Sequence, residues 1–578
     1  MTNKQNHLES QLAPRTGCTA QAVMAYEAAL RVARAVMDSN SSPDAKGDAR
    51  AFLCGGWVRD RILQRDAVDL DLEVFGLPWH DLIRLLDREF SGRLIEPSVG
   101  SPSAIKILLE GGFHLDVLVP LTRSQADFGR ETFEPAPWIS LREAAQRRDF
   151  SINSLYFDPI AEELHDPWAG VEDLERKILR LVPGWTLETV NAAMPFRAAR
   201  LHARFGLSVE KHTSDLLKDA VSAGVVKHSS KEVVTREFLR VLLDCPQPST
   251  ALRCGEMLGW LKVILPELVG LQDIPQDPVH HPEGSVFEHT LLAVDAAAGI
   301  SQSFDRRART KIMLSTLLHD IGKLTTTQVH DEEGRTKITS YRHEIVGAEM
   351  TKKILKRFDL ASDVDTEVVR VVRHHMRPLA MHLADPLKDD GPHFTNEVRK
   401  LARDVYPASM DTFLTTCRAD RMGRGGPHAS SGEQTGIVDR IASVLERRLS
   451  AADPRSRLLV GSDLVEMGFE NRDELFRHIF HYVENLRDIG RLTDSAEARR
   501  VVLLKFGTNP EEVTSYGVVT PQDKEHFFKS LRRDIREGHI QTKADILEVL
   551  RSFSSGRISS QASNASDDNS ADAKSRAD

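Results

Sequence analysis

Hydrophobic and polar positions change rhythm along the chain. Between residues 21 and 165, short apolar runs and period-two alternation predict strands. AFLC (51–54) is an apolar run that ends in Gly55-Gly56, and VDLDLEVF (68–75) alternates acidic and apolar residues. AIKILL (104–109) and FHLDVLV (113–119) flank Gly111-Gly112, a hairpin-like pair. Helical spacing fits 57–64 and 79–89 between them. The pattern predicts a small α/β unit. After residue 170 strand signals fade, and helices with short Gly/Pro breaks continue to about residue 553. The break LQDIPQDPVHHPEG (271–284) carries three prolines and reads as a domain boundary. Residues 1–20 read as a flexible tail. From Ser554 the chain is rich in Ser, Asp and Ala with almost nothing to bury, so 554–578 is expected to be disordered.

Composition narrows the class. At about 100–200 residues per domain, 578 residues make several units. With 41% apolar and 28% charged residues, a sizeable core is expected and wholesale disorder is excluded. No apolar run reaches the ~18–20 residues of a membrane span, so no membrane partner is expected. The polar start, Met1 to Leu12, holds no apolar signal core, and the five cysteines are scattered without a CxxC. They read as reduced thiols of a cytoplasmic protein. A net charge of −9 argues against a general nucleic-acid coat but not against one basic cleft.

One candidate site follows the Gly-Gly turn. Period two puts Asp69 and Asp71 on one strand face. Two carboxylates that close are costly unless a cation lies between them, and Mg²⁺ suits such oxygens together with substrate phosphates. Gly55 and Gly56 sit between a strand and a helix bearing Arg59, where main-chain amides can approach phosphate. Alone, an Asp-x-Asp strand is more often a wet acidic edge; the Gly-Gly-x-Val-Arg-Asp element reverses that reading. Asp116, on a neighbouring strand, is either a third catalytic carboxylate or an exposed strand residue. No GxxxxGK[ST] or GxGxxG is present, so a P-loop and a dinucleotide fold are unsupported.

CGGWVRD (54–60), VDLDLEVFGL (68–77), RRDFSINSLYFDP (147–159) and HDPWAGVEDLERKILRLV (165–182) together resemble successive motifs of the class II tRNA nucleotidyltransferases and bacterial poly(A) polymerases. The resemblance runs from about residue 50 to 500. It implies an α+β fold: a polymerase-β-like nucleotidyltransferase head (21–165), then an all-α neck (166–270), an HD domain (271–430) and a helical tail (431–505), here followed by an extension (506–553). It implies that Asp69 and Asp71 hold Mg²⁺, that Gly55, Gly56 and Arg59 contact the triphosphate, and that Arg148 neutralises phosphate beside Arg147 and Asp149. Asn153 would shape the sugar site. The guanidinium fork suits phosphate, although an Arg-Arg pair alone would read as a solvated helix cap. CTP, ATP and the 3′ end of tRNA or another RNA are the implied partners; no DNA is expected.

One departure matters. The family's neck helix carries Glu-Asp-x-x-Arg as a protein template for the base, followed by further arginines. Arg197, Arg200 and Arg204 match the second half, but the template positions hold Val190, Asn191 and Met194. Asn both donates and accepts where Asp only accepts, and Met offers no donor. Pro195 suits a first helical turn, so the helix is expected to start near Met194. Either base selection is altered, or a local insertion shifts the match and Glu188 substitutes.

A second candidate site lies downstream. His289, His319-Asp320 in LLHDIGK, and Asp420 recur in the order H…HD…D, which resembles HD phosphohydrolases. A lone His-Asp pair is usually a surface or capping pair; three such segments suit a divalent transition metal or Mg²⁺. His343 and the His374-His375 pair, with His374 taken as the ligand, offer a second metal. Lys323 either contacts phosphate or is solvated. The expectation is a Mg²⁺-dependent nucleotidyltransferase, most simply CCA-adding, with a second phosphohydrolase site. Alternatives are a poly(A)-polymerase-like or relaxed-specificity transferase, a hydrolase with a weakened head, and a non-catalytic RNA scaffold.

Overall fold

A computed structural model describes residue 12 and residues 19–552, apart from 42–47, 66–68, 96–103, 113, 126–130, 333–334, 385–391, 425–435, 447–457, 471–472, 489–490, 493, 509, 517 and 519. Of the expected flexible tail 1–20, all but Leu12, Thr19 and Ala20 lie outside the described residues, as does all of 554–578; Thr19 caps the first helix and Ala20 opens it.

The head is a seven-stranded sheet. Its strands are β1 (Arg50–Cys54), β2 (Leu70–Phe75), β3 (Leu94–Ile95), β4 (Ala104–Leu108), β5 (His114–Leu118), β6 (Tyr156–Asp158) and β7 (Glu163–His165), in the order β3-β4-β5-β2-β1-β6-β7. β1 runs antiparallel to β2 with Cys54 opposite Asp71. β2 runs parallel to β5 with Asp71 opposite Asp116, and β4–β5 is the antiparallel hairpin expected around Gly111-Gly112. One face is covered by α1 (Ala20–Asp38) and α3 (Trp79–Glu89), whose apolar stripes bury Ala29, Val32, Leu82 and Leu86 against Leu53, Leu72 and Val117. Each large apolar side chain so buried contributes about 1.5–3 kcal/mol. Helix α2 (Gly56–Ile62) leaves β1 directly through Gly55. Among the described residues, several features escaped the hydrophobic pattern: β3, β6–β7, and three two-stranded ladders, Leu121–Gln125 with Glu131–Pro135, Ile178–Leu179 with Ser208–Val209, and Gln328–Glu332 with Arg335–Thr339. All are short or polar, and their pairing partners supply the regularity.

Beyond the head the described chain is mostly helical. Helix α4 (Ala193–Phe205) packs against α5 (Lys231–Asp244) and α6 (Pro248–Met257). Helices α7 (Val286–Ile300), α8 (Arg306–Leu318), α9 (His343–Leu355), α10 (Ser362–His374) and α11 (Met410–Met422) pack pairwise, α7 on α11 and α8 on α10. The 271–284 break does not divide two cores: Leu271 lies in the buried cluster that runs from Leu12 and the sheet to Ala419. The C-terminal region has its own cluster. Leu459, Phe476 and Val502 share it with Phe527, Leu531, Ile546 and Leu550, so the residues after 506 complete one core with those before.

Candidate active sites of the head and the helical region

The first site is a cavity of about 630 Å³ between the sheet and α4–α5. Asp69 and Asp71 form one wall, and Gly55, Gly56, Arg59, Arg147, Arg148, Asp149 and Asn153 another. Asn191, Met194, Arg197 and Arg200 close it from the neck. Asp71 is inner and mostly buried, whereas Asp69 is exposed. Burial, and then the carboxylates of Asp69, Asp116 and Glu73, push the Asp71 carboxyl up to about 6 against the pull of Arg148. That crowding of carboxylates is the setting a divalent cation relieves, so the donor set fits Mg²⁺.

Gly55 explains the turn. Its backbone sits at φ 73° and ψ −134°, a region open to glycine, and a Cβ there would lie 2.8 Å from Arg148 Nη1. Arg148 is held from behind. Its guanidinium donates to Glu73 Oε2 at 3.0 Å and to the Tyr156 hydroxyl at 3.1 Å, and lies 2.8 Å from Cys54 Sγ. The Tyr156 hydroxyl donates to Glu73 at 2.8 Å, closing the network. Arg59 is buried, donates to Asn153 Oδ1 at 2.5 Å, pairs with Asp60 at 2.6 Å and lies over the Phe205 ring. Asp149 accepts from Asn153 at 3.0 Å and from Arg197 at 3.3 Å. Arg200 faces Glu237 at 3.4 Å, and its burial lowers it to about 10.

Not every expected residue reaches the cavity. Both oxygens of Asp116 accept from Lys106 Nζ, at 2.8 and 2.9 Å, so Asp116 stands beside Asp71 in register but is paired on the strand and is not a cavity residue. Glu188 is exposed, holds Thr186 at 2.6 Å and is not a cavity residue. α4 does begin at Ala193, with Asn191 Oδ1 accepting from the Ala193 amide, and Met194 is fully buried. Sequence reasoning missed Glu73 and Tyr156, although Glu73 continues the Asp69–Asp71 periodicity. It also missed Arg240 and Asp244 of α5, and Trp185, which lines the cavity with its indole N–H bonded to the Arg148 carbonyl at 2.9 Å. α5 carries no local motif that could have signalled its part.

The second site is a buried cluster in the helical region. His289 on α7 has Nε2 3.0 Å from Asp420 Oδ1 on α11. His319 Nε2 lies 3.3 Å from Asp320 Oδ2 and 3.6 Å from Asp420 Oδ1. Asp320 Oδ1 lies 3.2 Å from His343 Nε2 and 3.7 Å from His375 Nε2. The two halves, His289–His319–Asp420 and Asp320–His343–His375, are each compact enough to hold one ion. Gly322 permits the assembly: a Cβ there would lie 2.1 Å from the His343 carbonyl, so the Asp-Ile-Gly turn packs directly on the start of α9.

His374 is a correction. His375 enters the cluster, whereas His374 lies toward Asp404 and Arg377. Successive residues on a helix point about 100° apart, so only one of the pair can face inward. Lys323 Nζ pairs with Asp320 Oδ2 at 2.7 Å and Gln276 at 2.9 Å. Burial alone would depress the His319 imidazole, yet Asp320 and Asp420 carry it up to about 10. His343 and His375 bring their Nε2 atoms within 3.2 Å, and each already uses Nδ1 on a main-chain carbonyl. Lone pairs converging with carboxylates in this way fit divalent metal ions.

Comparison with known proteins gives the lineage. A poly A polymerase head domain model matches residues 51–180, and an HD domain model matches residues 286–408. A multifunctional CCA protein of Halorhodospira halophila is 31% identical over 388 residues, which is 66% of this chain and 85% of that protein. The chain belongs to the class II tRNA nucleotidyltransferase and poly(A) polymerase family. Its members include the multifunctional CCA protein of Pasteurella multocida, 27% identical over 474 residues, 80% of this chain and 100% of that protein. The fold agrees: a Bacillus stearothermophilus CCA-adding enzyme solved in complex with CTP has a TM-score of 0.54 at 17% identity, covering 81% of this chain and 94% of that one. This is a family enzyme of the nucleotidyltransferase class carrying an HD domain.

Proposed function

We propose that the head adds nucleotides from CTP and ATP to the 3′ end of tRNA with release of pyrophosphate, and that the histidine–aspartate cluster is a phosphohydrolase centre. The observation that carries the first part is the meeting of Asp69 and Asp71 with a wall of arginines in one cavity. Asp69 and Asp71 would hold Mg²⁺, which when bound supplies charge neutralisation at the reacting phosphate and activation of the RNA hydroxyl. The chain's own residues do the rest. Gly55 and Gly56 let the main chain approach the triphosphate. Arg59, Arg147 and Arg148 offer guanidinium donors to its oxygens, and the Glu73–Tyr156 pair sets the plane of Arg148. Asn153, tied to Arg59 and Asp149, shapes the sugar side. Arg197, Arg200 and Arg240 extend the positive wall toward the RNA phosphates.

In the second centre, His289, His319, Asp320, His343, His375 and Asp420 would hold divalent ions, which supply an acidified water for attack on a phosphate ester. Lys323 is placed to meet a substrate phosphate. We assign the head to 21–165, the neck to 166–270 and the HD domain to 271–430 as functional segments of the sequence that share one buried cluster. A cytoplasmic location is part of this reading: the described cysteines, Cys54, Cys245, Cys254 and Cys417, are all free and buried. Among the described residues no helix is long and apolar enough to cross a membrane.

A second reading of base choice has its own observation. Met194 is buried and apolar, and the Asn191 oxygen is used by the Ala193 amide. Neither supplies the Asp and Arg edge of the family's template, which favours relaxed selection. The test is extension of tRNA transcripts ending at the discriminator base, at C and at CC, with each NTP and Mg²⁺. Ordered addition of C, C and A supports a CCA-adding enzyme. Addition of A alone or of mixed bases supports relaxed selection, and no addition to any end overturns the transferase reading.

A further inference from the structure

The four imidazoles of the helical cluster are pinned in two different ways. His319, His343 and His375 each turn Nδ1 to a main-chain carbonyl, at Thr316 (2.7 Å), Ser340 (2.8 Å) and Val372 (2.7 Å). His289 instead turns Nδ1 to a carboxylate, Glu283 Oε1, at 2.8 Å. The Glu283 side chain is only 3% exposed, and the same oxygen meets His281 Nδ1 at 2.8 Å. The His281 ring stands 4.9 Å from His289, nearly perpendicular to it, so the loop before α7 wraps the carboxylate between two imidazoles. None of the sequence motifs or matched residues assigned Glu283 or His281 a part.

The consequence is chemical asymmetry. A carboxylate behind an imidazole fixes its tautomer and makes the far nitrogen a better donor, an effect that can reach 10–100-fold in metal affinity. A neutral carbonyl fixes the tautomer with less electronic push. Asp320 divides the cluster, Oδ2 toward His319 and Oδ1 toward His343. On the Oδ2 side stand His289, His319 and Asp420. On the Oδ1 side, among the described residues, stand His343 and His375. Lys323 and Arg424 lie on the first side against Glu283 and Asp420, and on the second side Glu344 Oε2 stands 3.9 Å from His343 Nδ1, beyond hydrogen-bond reach. Donor number and the directly bonded carboxylate distinguish the halves.

We infer that Glu283 is a positioning residue that makes the two halves unequal, so that one divalent ion is held tightly by the His289–His319–Asp420 half and a second weakly by the His343–His375 half. This rests on reading the cluster as a metal centre. The tight ion would persist at low metal concentration, and the weak one would come and go with supply.

The experiment is Mn²⁺ titration of the metal-stripped full chain, followed by calorimetry and by the bound Mn²⁺ signal. It uses an Asp69→Ala/Asp71→Ala background so that the head's carboxylates add nothing, with circular dichroism to confirm folding. Two resolved steps are expected. Glu283→Gln, which keeps an oxygen acceptor but removes the charge, is expected to weaken the tight step 10–100-fold and leave the weak one. His343→Ala should delete the weak step alone. A Glu283→Gln protein with an unchanged tight step, or equal losses in both, overturns the inference. So does loss of the tight step in His343→Ala, or a parent with two equivalent sites. A parent that takes up no Mn²⁺ overturns the metal-centre reading itself, a result separable from the others.

Discussion

Replacing Gly55 by Ala tests how the catalytic turn is built. The backbone at φ 73°, ψ −134° costs a residue with a side chain about 1–3 kcal/mol. The new Cβ would also fall 2.8 Å from Arg148 Nη1. A free arginine would swing away, but this one is fixed by Glu73 at 3.0 Å and Tyr156 at 3.1 Å. Moving it weakens a charged hydrogen bond worth about 1.5–3 kcal/mol. Together these make a loss of about 2.5–6 kcal/mol in the stability of the head. Gly112→Ala is the comparison, because Gly112 also has a positive φ, 82°, but a Cβ there meets nothing within 4 Å. It should lose only the backbone part, about 1–2 kcal/mol. The assays are denaturant unfolding of both variants and single-turnover NTP incorporation. Displacement of Arg148 by an ångström or so should reduce Gly55→Ala turnover by about 100-fold. If the two variants lose equal stability and Gly55→Ala turns over normally, the packed guanidinium does not constrain the turn and the argument fails.

Other expected outcomes concern the charges and the histidines. Asp69→Ala/Asp71→Ala should abolish NTP incorporation while phosphohydrolase activity persists; residual incorporation at the parent rate would remove these residues from the reaction. Because Asp71 is lifted to about 6, a proton competes with the cation below that pH, so Mg²⁺ affinity measured through incorporation should fall as pH drops from 7 to 5, by up to tenfold per unit. A pH-independent Mg²⁺ requirement would contradict this. Tyr156→Phe removes one donor to Glu73 and one acceptor for Arg148, and should cost about 1–3 kcal/mol in urea unfolding together with a lower kcat. His375→Ala should lower the bound metal content of the chain, whereas His374→Ala should not; elemental analysis of the two purified proteins decides between the neighbours.

Much of the head was legible because its signals are local. A strand that alternates acid and apolar residues places Asp69 and Asp71 on one face whatever else the chain does, and a Gly-Gly pair after an apolar run permits the turn into α2. The order H…HD…D likewise names His289, His319, Asp320 and Asp420, all of which converge. Pro195 foretold that the neck helix starts late, and α4 begins at Ala193.

What the sequence left open depended on contacts between distant segments. His374 and His375 are equivalent in a string of letters, and the packing of α10 against α8 and α9 selects one. Asp116 follows the same alternation as Asp71, but Lys106, facing it across the β4–β5 ladder, pairs with it. Arg240 and Asp244 enter the cavity because α5 packs on α4, and Glu283 gains its place because the 271–284 segment folds back over α7 rather than linking separate bodies. Sequence periodicity fixes which face a residue occupies, since neighbours along the backbone impose it. Which partner meets that face is settled by the burial of surfaces scores of residues apart, and only the tertiary structure decides it.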